Sequence, residues 1–209
     1  MKIFDATFFV NKPVLPFPTI KNVHQNLIYT SGVLDEAKLK SYMSANELVF
    51  IDIEGSTATP TELVKVAMAS DQNGIATFGF YGYPIRPNNL DDYPGWLSKN
   101  EPYKPLLRSV DAIFPSLYCV TNKLDVWSGM LRNAVDYARS ISPGVPVYPF
   151  LWWKYHNGYT AENNQYVGDK FWQFQLNQCR RYADGAVIWG GGGEWDNNAS
   201  WWRILQHYI

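Results

Sequence analysis

Short unbroken apolar runs alternate along the chain with segments whose apolar residues recur every three or four positions. Runs at 3–10, 48–53, 75–83, 112–120, 145–153 and 185–189 carry the β-branched and aromatic residues of strands buried on both faces. Between them lie helical patterns. Leu63, Val66, Ala67 and Ser70 share one face behind Thr59-Pro60-Thr61-Glu62, a capping box with proline at the first helical position, and Asn73-Gly74 stops that helix. Leu124, Trp127, Leu131, Ala134 and Ala138 mark a strongly amphipathic helix ended by Pro143-Gly144, and Trp172, Leu176, Cys179 and Ala183 mark another with Asp169 as its expected cap. Shorter helices are expected over 35–43 and 200–209, a weak strand over 27–29, a turn at 190–193, and loops over 86–105, with a helix near Leu106, and 155–167.

Strands and helices therefore alternate at least five times, the pattern of a parallel α/β fold, either open and doubly wound or closed into a barrel. One domain over 1–209 fits the length, and a full eight-fold barrel typically takes ~250 residues, so a reduced TIM-type (β/α) barrel of about six to seven mostly parallel strands is expected. Chemically useful residues gather at successive strand ends: Asp52 and Glu54, Tyr81 and Tyr83, Tyr118, Trp152, Trp153 and Tyr155, then Trp189. An open sheet places its ligand at one switch point, whereas a barrel brings many strand ends to one cleft, so the barrel is favoured.

Within the run 48–55, Asp52 and Glu54 alternate with Ile51 and Ile53, so both carboxylates face one side of a strand whose other side is apolar. Two acids so placed repel each other and are costly to desolvate. From the pair alone two readings stay open: a catalytic dyad, or a solvated strand end that caps the next helix.

Composition narrows this further. The net charge of -1 and pI near 6.3 point to neither nucleic acid nor an anionic membrane as partner. The chain is 16% aromatic, which serves the core first but also suits the flat faces of sugar rings. No run approaches the ~20 apolar residues of a membrane span. The first ten residues contain an acid and no small-residue cleavage site, so they read as a strand rather than a secretory signal. Cys119 and Cys179 lack any CxxC or metal spacing and read as buried thiols, with a single disulfide as the alternative. The Gly190–Gly193 run lacks both a dinucleotide fingerprint and a P-loop lysine. Neither metal nor cofactor is expected.

Five segments then match one family in order. FIDIEG resembles the I-D-x-E segment of the hyaluronidases, the glycoside hydrolases that cut hyaluronan and chondroitin. FGFYGYP, AIFPSLY, VYPFLWWKYH and GAVIWGG resemble that family's W-G-Y-Y-x-[FY]-P, L-F-P-S-x-Y, V-L-P-Y-x-x-x-x-Y and G-x-x-x-W-G, over residues 48 to 192. The resemblance implies that Glu54 is the general acid and base, and that Asp52 orients and stabilises the substrate's own acetamido group. It places Tyr118 and Tyr155 on the family's active-site tyrosines and Trp189 on the pocket tryptophan. When the acetamido oxygen attacks internally, one proton-transfer carboxyl and one supporting carboxylate suffice, and an ionised Asp52 would hold Glu54 protonated.

Tyr81, Tyr83, Trp152 and Trp153 are left as cleft wall or core, and Tyr118 and Trp189 have the same ordinary alternative. His156 reads first as a solvated loop histidine, and Glu194-Trp195-Asp196 as the cap of the last helix. Gly55-Ser56-Thr57 departs from the bulky residues usual after the family's acid, and the late disulfide-bearing tail is missing. A polyanionic substrate calls for a basic cleft, for which Arg86, Lys123 and Lys154 are the candidates. The expected activity is thus endo-acting, retaining cleavage of an N-acetylhexosamine polysaccharide by a monomer, a short microbial- or phage-like member acting outside the cell or on a virion. The alternatives are a glycosidase for a different bacterial or capsular polysaccharide and a catalytically silent carbohydrate-binding barrel.

Overall fold

The computed structural model describes residues 1–43, 47–71, 77–87, 90–156 and 162–209. In chain order the strands are β1 (Lys2–Val10), β2 (Lys21–His24), β3 (Tyr29–Thr30), β4 (Val33–Leu34), β5 (Leu48–Asp52), β6 (Thr77–Phe80), β7 (Phe150–Leu151) and β8 (Gly185–Glu194). The helices are α1 (Gln25–Ile28), α2 (Glu36–Tyr42), α3 (Pro60–Asp71), α4 (Tyr93–Asn100), α5 (Lys104–Leu107), α6 (Leu124–Ile141), α7 (Asp169–Tyr182) and α8 (Ser200–Leu205).

Apart from the small antiparallel β3–β4 hairpin, the ladders are parallel and form two three-stranded arcs, β1-β8-β7 and β2-β5-β6. Single parallel bridges link the arcs. On one side Asp5 pairs with Thr19; on the other, the segment 112–119 pairs through Phe114 with Tyr81 and through Ile113 and Ser116 with Val147 and Phe150. Regular ladders alone do not close a barrel. Proline explains the interruptions: Pro115, Pro146 and Pro149 lack the N–H that a continuous ladder uses, so the runs expected as strands over 112–120 and 145–153 pair only in places.

Side chains on the arcs alternate between two layers. Phe4, Ile20, Phe50, Phe114, Tyr148, Phe150 and Val187 form an inner cluster between the arcs. Ile3, Val23, Val49, Ile51, Ile188 and their neighbours pack outward with helical residues such as Leu63, Leu131 and Leu176. Between β1 and β2, the connection carries no helix. Instead Lys12 reaches over the strand, its Nζ 2.6 Å from Asp5 Oδ2 and 2.6 Å from the Thr7 carbonyl, so the buried Asp5 is neutralised in place. Cys119 and Cys179 are both buried free thiols.

Several sequence expectations are corrected. Residues 27–29 are not a strand: they end α1 and begin β3. The strand that matters there is β2, obscured because Asn22 is exposed while Val23 is buried. The 86–105 loop contains α4, which starts where Asp92 Oδ1 accepts from Gly95 N–H and proline sits in the first turn. Gly168, not Asp169, is the N-cap of α7. Residues 190–193 are no turn but part of β8, which continues beside β1. Asn73-Gly74 and the start of the 75–83 run lie outside the described residues. The Thr59 cap holds, its Oγ1 accepting from Glu62 N–H at 3.2 Å, but the Glu62 carboxylate accepts from Tyr29 Oη instead of closing the box.

Gly79 on β6 faces the 112–119 segment so closely that a Cβ would overlap the Ala112 carbonyl. Gly79→Ala is therefore expected to destabilise the fold by about 2–4 kcal/mol, read as a drop in thermal midpoint.

Candidate active site

β5 ends at Asp52, but Glu54 keeps extended backbone (φ -127°, ψ 170°), so the alternation continues past the ladder. Ile51 and Ile53 are buried under the helices while Asp52 and Glu54 face the opposite side. Gly55 then turns the chain away with φ +67° into a 3-10 turn over Gly55–Thr57. A Cβ at Gly55 would meet nothing within 4 Å, so the conformation and not space calls for glycine, and the acid is left at an open rim. Gln25 Oε1 accepts from Glu54 N–H at 3.0 Å and pins this corner.

The two acids differ in exposure. Glu54 is exposed; Asp52 is half-buried, and its Oδ1 is buried with no hydrogen-bond partner among the described residues. Burial, then the neighbouring charge of Glu54, pushes the Asp52 carboxyl up to about 6, while His24, its register partner on β2, acts the other way. Sequence reasoning expected an ionised Asp52 to hold the proton on Glu54. Burial raises the Asp52 carboxyl itself, so Asp52 is ionised only above about 6.

That raised value has a stability consequence. Between pH ~4 and ~6 the folded protein holds a proton on Asp52 that the unfolded chain has released, so stability falls as pH rises through this window. Above about 6 the penalty is complete. Asp52→Asn is expected to raise stability by about 1–2 kcal/mol at pH 7.5, less than the full shift because an unpartnered amide is also costly, with no gain near pH 4. Chemical denaturation at the two pH values checks this.

Both acids open into a cleft of about 270 Å³ whose floor is Phe50 and Phe150 and whose walls include Tyr81, Tyr118, His156 and Trp189. The Phe50 and Phe150 rings meet at 4.8 Å, Tyr81 packs on Phe150 at 5.0 Å, and Tyr118 lies 5.1 Å from Trp189. The Tyr81 and Tyr118 phenols interact with each other, and Tyr81 Oη lies 3.1 Å from Ser116 Oγ. Burial raises both phenols, Tyr118 the more strongly, so they serve as neutral hydrogen-bonding groups.

Of the residues expected at the site, Asp52, Glu54, Tyr81, Tyr118 and Trp189 come together in this cleft. Trp152 stands behind its wall, 5.4 Å from Trp189 and 6.0 Å from Tyr118. Tyr83 is buried against Tyr103, and Trp153 is stacked 4.0 Å from Trp201 in an aromatic cluster away from the acids. Tyr155, expected at the site in a polar setting, is 7% exposed with its ring against Phe171, and it does not line the cleft.

The next residue, His156, does line it, stacked on Tyr118 at 5.7 Å. Its position at a strand end was the available signal, and the polar loop around it concealed the role. Phe50 and Phe150 were hidden as ordinary strand apolars. Glu194 is no cap, as it accepts from Asn11 Nδ2 at 2.7 Å, and Asp196 accepts from Asn198 N–H at 2.8 Å. Among the described residues no cluster of three or more His, Cys, Asp or Glu could hold a metal, and no helix is long and apolar enough to cross a membrane.

No family model matches the sequence, and no curated protein matches it. Solved structures do. The chain is similar to a crystal structure of bee venom hyaluronidase, with a TM-score of 0.59 and 16% identity over 84% of this chain and 72% of that one. It is also similar to bee venom hyaluronidase in complex with a hyaluronic acid tetramer, with a TM-score of 0.57 and 16% identity over 81% of this chain and 66% of that one. Both structures are of one bee venom protein, so the expected microbial or phage-like placement gains no support from them. At this identity the likeness establishes a hyaluronidase-like (β/α) fold for the chain.

Proposed function

We propose that the protein is an endo-acting, retaining glycoside hydrolase that cleaves an N-acetylhexosamine-containing polysaccharide by substrate-assisted catalysis. Its scaffold is read as a reduced seven-membered barrel, the two arcs joined through 112–119 and through the Asp5–Thr19 bridge. The observation that carries the reading is the inequivalence of the two acids. Glu54 stands exposed at the cleft rim, while Asp52 lines the same cleft half-buried, with its Oδ1 buried and unpartnered. A carboxylate so poorly satisfied calls for a donor at the cleft it lines, and the N–H of a 2-acetamido group supplies one.

In this reading Glu54 donates its proton to the leaving glycosidic oxygen as the bond to the anomeric carbon breaks. The acetamido oxygen attacks that carbon from the opposite face, and Asp52 accepts the acetamido N–H and supports the positive charge that develops on the resulting ring. Glu54 then takes a proton from the water that opens this intermediate, which restores the starting configuration. Tyr118 and Tyr81 hold the acetamido group, Trp189 and Phe50 form the apolar wall for the sugar face, and His156 backs Tyr118. Tyr155, the residue before His156, packs its ring against Phe171 outside this cleft. The bee venom protein solved with a hyaluronic acid tetramer makes a hyaluronan- or chondroitin-like backbone the first polymer to examine.

Incubating the protein with a panel of N-acetylated polysaccharides and their de-N-acetylated forms, and sizing the products, tests the reading. The N-acetylated form of at least one polymer is expected to fall to short oligosaccharides while its de-N-acetylated form is cut at least about 100-fold more slowly. Equal cleavage of both forms would remove the acetamido group from the mechanism.

A further inference from the structure

A second hollow of about 450 Å³ adjoins the first and shares Phe50, Asp52 and Trp189 with it, so the two make one groove with Asp52 between its halves. Beyond Trp189 the groove is walled by Phe8 of β1, which is 54% exposed with its ring 5.4 Å from Trp189. A lone exposed aromatic is ordinary, but this one extends an aromatic wall along the rim of a cleft. Gly191, the register partner of Phe8, lets the two strands close here, since a Cβ on it would lie 2.8 Å from the Phe8 backbone. Across the groove Asn22 is exposed on the face of β2 that pairs with Phe50, and it brings an amide to the same space.

Charge is the second observation. Among the described residues no lysine or arginine lines either half of the groove. Asp5 at the edge of the second half is already neutralised by Lys12. Of the basic residues that sequence reasoning offered for a polyanion, Arg86 donates to the Tyr118 carbonyl at 3.4 Å, on the backbone side of that ring. Lys154 lines a separate hollow with Trp153 and Trp201, and Lys123 is exposed at the start of α6. A uronate carboxylate bound beside Asp52 would meet a like charge with no cation in the groove to offset it.

Resting on the glycosidase reading, we infer that the Phe8–Trp189 half of the groove is a further sugar-binding site that takes an uncharged hexose, so that the polymer cut carries neutral sugars, not uronates, beside its N-acetylhexosamines. Phe8 and Trp189 receive the C–H face of that ring, and Asn22 bonds its hydroxyls.

Hyaluronan hexasaccharide and its carboxyl-reduced form, in which each uronate has become a neutral glucose, share one backbone and isolate the charge. Titration of the Glu54→Gln protein with each, read by tryptophan fluorescence, is expected to give about tenfold or tighter binding of the reduced form at low salt, the gap narrowing as salt rises. Phe8→Ala is expected to weaken the reduced hexasaccharide by about tenfold, and Asn22→Lys at an exposed position to close the gap between the two forms. Native hexasaccharide bound as tightly as the reduced form, no binding of either, or a Phe8→Ala protein with unchanged hexasaccharide affinity would each overturn the inference. Failure of the wild-type protein to cut any member of the N-acetylated polysaccharide panel would instead remove the glycosidase reading, while the binding comparison still decides the preference for a neutral sugar.

Discussion

Glu54→Gln is expected to lower polymer cleavage about 1,000-fold while substrate affinity changes only a few-fold. Glutamine keeps the shape and hydrogen-bonding reach of the side chain but has no acidic proton for the leaving oxygen and cannot take one from water. Both halves of the reaction therefore slow together. The fold gives little ground for an indirect effect. Glu54 is exposed, and the bond that pins its corner comes from its backbone N–H to Gln25. Thermal stability should thus stay within about 0.5 kcal/mol of wild type, as at other exposed sites. Near-normal cleavage by this variant would show that another group moves the proton; His156, stacked on Tyr118 in the same cleft, would then be the next to replace.

Asp52→Asn should lose about 100- to 1,000-fold in kcat, because an amide can be oriented toward the acetamido group but cannot neutralise the charge that develops on it. The same substitution is expected to stabilise the folded protein at neutral pH, and these opposite signs in one variant are diagnostic. A residue needed only for folding would lose activity and stability together. A catalytic carboxylate held half-buried against its own desolvation gives up stability for function, so its removal restores stability as activity falls. The pH profile carries the same signature. If Asp52 works ionised, wild-type kcat/KM should fall on the acid side with a midpoint near 6, and the residual activity of Asp52→Asn should lack that limb. A limb unchanged by the substitution would assign it to a different group.

Much of the site was legible in the sequence because strand alternation is strict. The spacing of Asp52 and Glu54 fixes their common side, and the aromatics of successive strand ends, Tyr81, Tyr118 and Trp189, arrive at one cleft because the strands run parallel. What escaped reading depends on distances along the third dimension. Nothing in FIDIEG says that Asp52 lies deeper than Glu54, yet that depth desolvates Asp52 and raises its own carboxyl. Tyr155 and His156 are neighbours, and the motif favours the tyrosine; one residue of register sends the tyrosine to Phe171 and the histidine to the cleft. β2 was missed because alternation between an exposed asparagine and a buried valine over four residues looks like a loop. The glycines of β8 were read as a turn because glycine usually marks one, although here close packing of β8 on β1 requires it. Gly55, a departure from the related pattern, finds its reason in a positive φ that ends the strand immediately after the acid.

In the proposed reaction the substrate's acetamido group, held by Asp52, is the nucleophile and Glu54 moves the proton. Proton NMR of the first product released from an N-acetylated polymer, recorded before mutarotation, distinguishes this route from direct hydrolysis by water. The β-anomer is expected to appear first with wild-type protein, and Glu54→Gln is expected to yield no product on that timescale. First appearance of the α-anomer would mean direct attack by water with inversion, and would rule out the acetamido group as nucleophile.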